Sequence, residues 1–495
     1  MNYADLFRVT LPETALEVAA LLVLVVDLGL LRKAALKVRV VVAALLGVAG
    51  CGAALWGISL QTGDGLYVGE SLVLANGGGV AVAQIGILIL TALTLLLLID
   101  SSFTRHVGEY VAVVLMAATG GLLIASARDL LVIFIGLELL SLGLYILTAF
   151  AKSSGKSAEA ALKYYLFGGM SAAFLLFGFS YFYGLSGSTN LAKIQEAIAT
   201  SGPSPLFYIA WILVVAGLGF KVAAVPFHLW APDTYEGAPT PAAAFIASVS
   251  KVASFALLIS ISESWLRIGE RCGPWPQLAG ILLVLAAASM IVGNLAALAQ
   301  VSVRRLLAYS AIAHAGYILL GIAFIPGDVS SSFLVEKAVL FYVLTYGLTT
   351  IGAFGVVSVV ERATGSDRLD AFLGLHKRNP LLAAVLLVLF LSLAGIPPLV
   401  GFWAKFNLFA AVLGVSAGPV PFALVALAVA LSAVSLYYYL QVLKRAYVMP
   451  VIDETPIKAH PVTLAVLVAI AAAVVVLGCF PALLQGWIAS FYPVI

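Results

Sequence analysis

Fourteen apolar runs divide the chain, each long enough for a helix to cross the roughly 30 Å hydrocarbon core of a bilayer. They cover about residues 11–31, 38–59, 78–99, 109–126, 129–150, 161–184, 206–226, 240–262, 275–298, 304–324, 334–360, 380–413, 419–443 and 460–483. The connections are short and leave no room for an extramembrane domain. Only 10% of the residues are charged and 63% are hydrophobic, whereas a soluble domain carries about 25% charge. The expected fold is an all-α polytopic membrane protein with about fourteen transmembrane helices.

Positive charge is distributed unevenly over the connections. Seventeen Lys and Arg residues, from Arg32, Lys33, Lys37 and Arg39 through Arg304, Arg305 and Arg362 to Lys458, fall on one side. The other side holds six: Arg8, Arg128, Lys193, Arg267, Arg271 and Lys337. The positive-inside rule then places both termini on the outer, periplasmic side of a cell inner membrane. Asp5, Glu13 and Glu17 precede the first run, with only Arg8 opposing them. That start lacks the basic region of a cleaved signal peptide, so the first span is read as retained.

Several function classes fall away. No basic cluster with interleaved aromatics suggests nucleic acid. Cys51, Cys272 and Cys479 are scattered singly, without metal-site or disulfide spacing. No dinucleotide fingerprint, P-loop or iron–sulfur cysteine cluster is present. No metal or cofactor is therefore expected on this chain, and any redox chemistry belongs to other subunits.

Two spans are interrupted. Pro226 must break the seventh, in AGLGFKVAAVPFHLW, by removing a donor and clashing with the preceding turn. Gly395, Pro397 and Pro398 break the twelfth at mid-membrane. Irregular backbone at that depth is tolerated only inside protein or beside a wet cavity. Paired broken helices are the expected trace of two inverted five-helix repeats. The expected division is residues 1–108 (three helices), 109–262 (first repeat), 263–445 (second repeat) and 446–495 (a terminal helix).

Four ionisable residues lie within apolar stretches: Glu138, Lys221, Lys251 and Lys405. A charge at the bilayer centre costs roughly 3 kcal/mol on insertion scales, so it is rarely kept without a use. A static scaffold gains nothing from such lysines. Burial disfavours the charged amine and a nearby carboxylate favours it, so a movable carboxylate controls whether a lysine holds its proton. Glu138 and Lys221 read as such a switchable pair, Lys251 as the central carrier and Lys405 as the terminal one. Lys251 and Lys405 have no obvious acidic partner.

Polar stripes accompany these charges. Ser310, His314 and Tyr317 share one face of the tenth span, and His314 has an ordinary pKa near working pH. Tyr342, Thr345, Tyr346 and Thr349 stripe the eleventh span, either hydrating a path or packing helices. His228 is either a proton-intake group or a cap of the broken helix. Lys163 is expected to snorkel to the interface, and Asp233 and Glu236 to fix their loop.

The stretches FKVAAVPFHLWAPDTYEGAPTP, SKVASF, YSAIAHAGYILLG and AGIPPLVGFWAKF together resemble the antiporter-like proton-pumping subunits of respiratory complex I, over about residues 105–445. Among those paralogues the chain is similar to the N-type subunit of bacterial NADH:quinone oxidoreductase. It stops about a dozen residues after its last span, without the long lateral helix of the L type. It has Lys405 where the M type has glutamate.

The resemblance implies roles for matching positions. Glu138 would modulate Lys221, Lys251 would connect, and Lys405 would lead to an outer half-channel, with His314 between the half-channels. It implies neighbouring membrane-arm subunits on both sides, and partner subunits that bind NADH, flavin, iron–sulfur clusters and quinone. A subunit of a multi-subunit sodium/proton antiporter, which shares these motifs, is the competing expectation.

Overall fold

The computed structural model describes residues 3–61, 65–272, 275–326, 329–450 and 454–492, with side chains described except for 3–5, 263–277 and 327–330. Cys272, Arg267 and Arg271 are thus named by the sequence reading but lie outside the described side chains.

Among the described residues twelve helices are long and apolar enough to cross a membrane, and shorter helices stand at the expected first and twelfth places. The first is Leu11–Val25, continued by a π turn, Val26–Leu30. The second to sixth are Leu36–Ser59, Gly78–Leu98, Val107–Ser126, Leu130–Thr148 and Gly155–Ser186. Pro205–Val222 is the seventh, with the short helix Trp230–Gly237 beyond its break. The eighth to eleventh are Thr240–Cys272, Trp275–Ala297, Val303–Ala323 and Val329–Thr364. The twelfth is two pieces, Pro380–Ala394 and Val400–Val415, and Pro419–Tyr447 and Pro461–Cys479 complete the set. Local signals start several of them. Ser204 and Asn379 accept from Phe207 and Leu382 backbone N–H groups, each just ahead of a proline at the first helical position.

Not every element is a crossing helix. Gly65–Val68 and Ser71–Ala75 form an antiparallel hairpin between the second and third spans, an exception to the expected all-α content. Asn190 ties it down by donating to the Leu72 carbonyl at 2.7 Å. Short helices at Leu191–Ser201 and Pro481–Ala489 lie outside the crossings.

Burial sorts the spans. The eighth, tenth and eleventh are 94%, 94% and 89% buried over their apolar windows, whereas the sixth, thirteenth and fourteenth are 33%, 28% and 33%. The centre of the molecule is therefore made by the helices that carry Lys251, His314 and Tyr342. The outer helices offer their apolar faces to lipid or to partner helices.

The basic face is knitted by charge. Lys163 Nζ meets Asp233 at 2.8 Å and Glu159 at 2.7 Å, and Arg305 reaches Asp233 at 2.6 Å and Glu236 at 3.0 Å. Lys163 thus does more than snorkel, since it clamps the short helix after the seventh-span break. Arg304 joins Glu361 at 3.0 Å and Asp367 at 3.3 Å.

Candidate proton-transfer site

The seventh span ends at Val222 because Ala223 adopts a left-handed conformation (φ 57°) and the chain then turns through a cis Val225–Pro226 bond. The end of the helix is buried through Ala224, whereas Pro226 and Leu229 of the break are exposed. Ala224 N–H returns to the Gly219 carbonyl at 2.8 Å, Trp230 Nε1 donates to the Phe220 carbonyl at 3.0 Å, and Val225 N–H donates to Ser289 Oγ at 2.9 Å. Ser289 comes from the ninth span, so the second half of the chain completes the break in the first.

One freed carbonyl, that of Val222, accepts from Lys251 Nζ on the eighth span. Lys251 is 1% exposed. A helix C-terminus carries about half a negative charge and unsatisfied carbonyls, so it can hold an ammonium where no carboxylate is present. Lys221 lies one residue before Val222, but its amine goes to the fifth span and not to the helix end.

Lys221 Nζ does not sit on Glu138. It donates to Ser141 Oγ, and Ser141 in turn donates to the Leu137 carbonyl of its own helix. Glu138, one turn back on the fifth span, is half-buried. No buried Glu138–Lys221 ion pair is formed.

The second break repeats the device with different donors. Gly395 closes the first piece in a left-handed conformation (φ 89°), and a cis Pro397–Pro398 bond follows. Lys405 Nζ donates to the Ala394 carbonyl at 2.9 Å, the Leu393 carbonyl at 3.3 Å and Ser432 Oγ at 2.6 Å. It also lies 5.4 Å from the centroid of the Tyr317 ring.

Between the two breaks runs a buried polar set. His314 Nδ1 pairs with the Tyr342 hydroxyl at 2.8 Å, and its ring is edge-on to Tyr317. Asn294 donates to the Tyr317 hydroxyl at 3.1 Å and accepts from the Tyr438 hydroxyl at 3.2 Å. Ser310 pairs with the Tyr439 hydroxyl. Tyr317 therefore stands between His314 and Lys405. The eleventh-span stripe is only partly part of this set: Thr345 and Thr349 turn back on their own helix, to the Phe341 and Thr345 carbonyls. No hydrogen bond among the described residues joins Lys251 to His314.

His228 lies half-buried in the first break, away from this set. Its side chain caps neither helical piece, and its carbonyl accepts from Ala231 at 2.9 Å. On the basic face a cavity of about 270 Å³ opens between Asp100, Thr240, Arg304, Glu361 and Arg362, at the foot of the eighth span. Among the described residues no group of His, Cys, Asp and Glu is arranged to hold a metal ion.

Ser141, Ser432, Asn294, Tyr438 and Tyr439 were not singled out by sequence. Their signal is weak because Ser, Asn and Tyr are ordinary in membrane helices. Only the register between helices brings them to the lysines and the tyrosines.

Residues 127–433 match the family described as NADH:quinone oxidoreductase/Mrp antiporter, TM. Over 503 residues the chain is 48% identical to NADH-quinone oxidoreductase subunit N 2 of Acidobacterium capsulatum, covering 99% of both. Its fold is similar to a chain of respiratory complex I from Thermus thermophilus with bound aureothin, with a TM-score of 0.77 and 36% identity over 96% of this chain and 98% of that one. A chain of the Mrp complex from Dietzia sp. has a TM-score of 0.79 at 21% identity, over 97% of this chain and 96% of that one, a likeness of fold alone. The chain belongs to the family of NADH:quinone oxidoreductase and Mrp antiporter transmembrane subunits, and within it to the N-type subunits of NADH-quinone oxidoreductase.

Proposed function

We infer that this chain is a membrane-arm subunit of NADH:quinone oxidoreductase that translocates protons. Partner subunits oxidise NADH and reduce quinone, and they hold the flavin and iron–sulfur clusters. The observation that carries the reading is the pair of interior amines, Lys251 and Lys405, each held by the freed C-terminal carbonyls of an interrupted helix. Such a site tolerates a positive charge without cancelling it, since carbonyl dipoles stabilise an ammonium less completely than a carboxylate would. The proton can therefore leave again.

In this reading Glu138 sets the charge of Lys221, which lies one residue before the carbonyl that holds Lys251. His314, with Tyr342 and Tyr317, carries the path toward Lys405. His228 stands at the break as an intake group from the basic face. Both termini lie on the outer side, and residues 109–262 and 263–445 form two inverted repeats, each with one broken helix, between a three-helix segment (1–108) and a terminal helix (446–495).

The test is Lys251→Ala in the assembled complex, in vesicles, with NADH oxidation and proton uptake followed together. The expected result is proton uptake lost relative to electron transfer. Wild-type proton uptake per NADH would overturn the reading. A sodium/proton antiporter subunit is the alternative, and sodium-driven proton flux in vesicles without NADH would favour it. The 48% identity to an N-type subunit over the whole chain favours the respiratory complex.

A further inference from the structure

Ser141, on the fifth span with Glu138, receives the Lys221 amine. It follows Glu138 by three residues on the fifth span, so both side chains leave the same helix face one turn apart. Its hydroxyl proton is committed to the Leu137 carbonyl, which leaves the oxygen lone pairs free to accept. Lys221 Nζ donates onto them. Both residues are buried, Ser141 at 2% exposure and Lys221 at 8%. The amine also lies over the ring of Phe220, 5.5 Å from its centroid. One turn further along the same stripe is Tyr145, whose hydroxyl fits against the sixth span only because residue 168 is glycine. A Cβ there would lie 1.8 Å from the Tyr145 oxygen.

We propose that Ser141 is a positioning residue for proton transfer, its hydroxyl holding the Lys221 amine one helical turn short of Glu138. The proposal rests on the reading of Glu138 and Lys221 as a switchable pair. The two acceptors differ in what they distinguish. An acceptor hydroxyl takes a hydrogen bond from a charged or a neutral amine with modest preference, because both forms donate. A carboxylate strongly prefers the ammonium. A charged Lys221 is therefore drawn toward Glu138, and a neutral Lys221 is returned to Ser141. Without the serine, the amine has Glu138 as its main polar partner on the fifth span, and the pair closes.

The experiment uses the assembled complex in vesicles and reads proton uptake, NADH oxidation and the amount of assembled subunit. Four single variants, Ser141→Ala, Ser141→Cys, Ser141→Thr and Glu138→Gln, are compared with the double variant Glu138→Gln/Ser141→Ala. Ser141→Ala is expected to lower proton uptake per NADH roughly threefold to tenfold, the scale of one ordinary hydrogen bond lost. Ser141→Cys keeps the volume with a weak acceptor and follows Ser141→Ala, which guards against an assembly defect. Ser141→Thr keeps the hydroxyl and restores most of the coupling.

In the Glu138→Gln background, removal of the serine hydroxyl has no further effect, because there is no carboxylate for the amine to close upon. Undiminished proton uptake in both Ser141→Ala and Ser141→Cys would overturn the proposal. So would an equal loss in both backgrounds, the mark of a merely structural hydrogen bond. Undiminished uptake in Glu138→Gln alone would remove the reading beneath it.

Discussion

The amine of Lys251, on the eighth span, donates to the carbonyl of Val222, the last helical residue before the seventh-span break. In the second half of the chain Lys405 does the same for Ala394 and Leu393. The two lysines that have no acidic partner in the sequence are thus paired after all, with the negative ends of interrupted helices. The breaks and the buried charges are consequently one feature. A helix that stops at mid-membrane needs donors for its last carbonyls, and a buried amine needs acceptors.

Lys405→Met removes the donor from two carbonyls and from Ser432 Oγ. It is expected to abolish proton uptake and to lower the stability of the assembled complex by about 1–3 kcal/mol, the usual cost of buried groups left unpaired. Lys405→Arg keeps charge and donors and should retain more of that stability. Thermal unfolding of the purified complex, read beside proton uptake, measures both. Wild-type stability in Lys405→Met would show that the caps carry no weight.

Gly401→Ala tests the geometry of the second break. A Cβ at residue 401 would stand 1.8 Å from the Ser392 carbonyl oxygen, a backbone atom that no rotamer change can move aside. The two pieces of the twelfth span must separate, drawing Lys405 off Ala394. We expect loss of about 1–3 kcal/mol of stability and of proton uptake together. An unchanged melting curve with full uptake contradicts this packing.

Asp27→Ala addresses the N-terminal helices, far from any proposed proton path. Asp27, in the π turn, accepts from Arg39 Nε at 2.7 Å and Nη2 at 2.6 Å, and from the Gly108 backbone N–H at 3.0 Å. It therefore ties the first span to the second and fourth. Truncation strands a guanidinium and a buried N–H, which should cost about 2–4 kcal/mol. Reduced amounts of subunit in the membrane, with normal proton uptake per NADH in the complexes that assemble, is the expected result.

The clamp at Asp233 gives a pH dependence. Partial burial works to raise the Asp233 carboxyl, but the Lys163 ammonium and the Arg305 guanidinium outweigh it and hold the group below its ordinary value of 3.8. Its contribution to stability is then present above the unfolded-state value and lost as pH falls through the lower folded one. The side chain is 29% exposed and its partners reach solvent, so the effect is small, at most about 1 kcal/mol. The stability difference between wild type and Asp233→Asn should be constant from pH 5 to 7 and shrink below about pH 4. A difference that grows on acidification rules out this assignment.

The spans were legible because a bilayer demands length and apolarity together, as in GGVAVAQIGILILTALTLLLL of the third. The breaks were legible at Pro226, Gly395, Pro397 and Pro398, since those residues cannot continue a helix. The buried charges announced themselves by their cost. What the sequence does not carry is the register between helices. Nothing local says that Ser141 meets Lys221, that Asn294 joins Tyr317 to Tyr438, or that Ser289 reaches back to the first break. The hairpin at Gly65–Val68 and Ser71–Ala75 also escaped notice, being too short and too close to two apolar runs to show a strand period. The pairing of Glu138 with Lys221 does not show in the sequence which hydroxyl receives the amine.

The two breaks differ in who supplies their cap. In the second half the lysine is on the same interrupted span, eleven residues beyond the carbonyl it holds, and it also reaches Ser432 on the thirteenth, so a change in its charge acts between the two pieces of one span and on one neighbour. In the first half the donor is borrowed from a neighbour, and each gain or loss of a proton must tug one helix against another. Mechanical strain generated by proton traffic should accordingly appear between the seventh and eighth spans in the first half, and between the two pieces of the twelfth in the second.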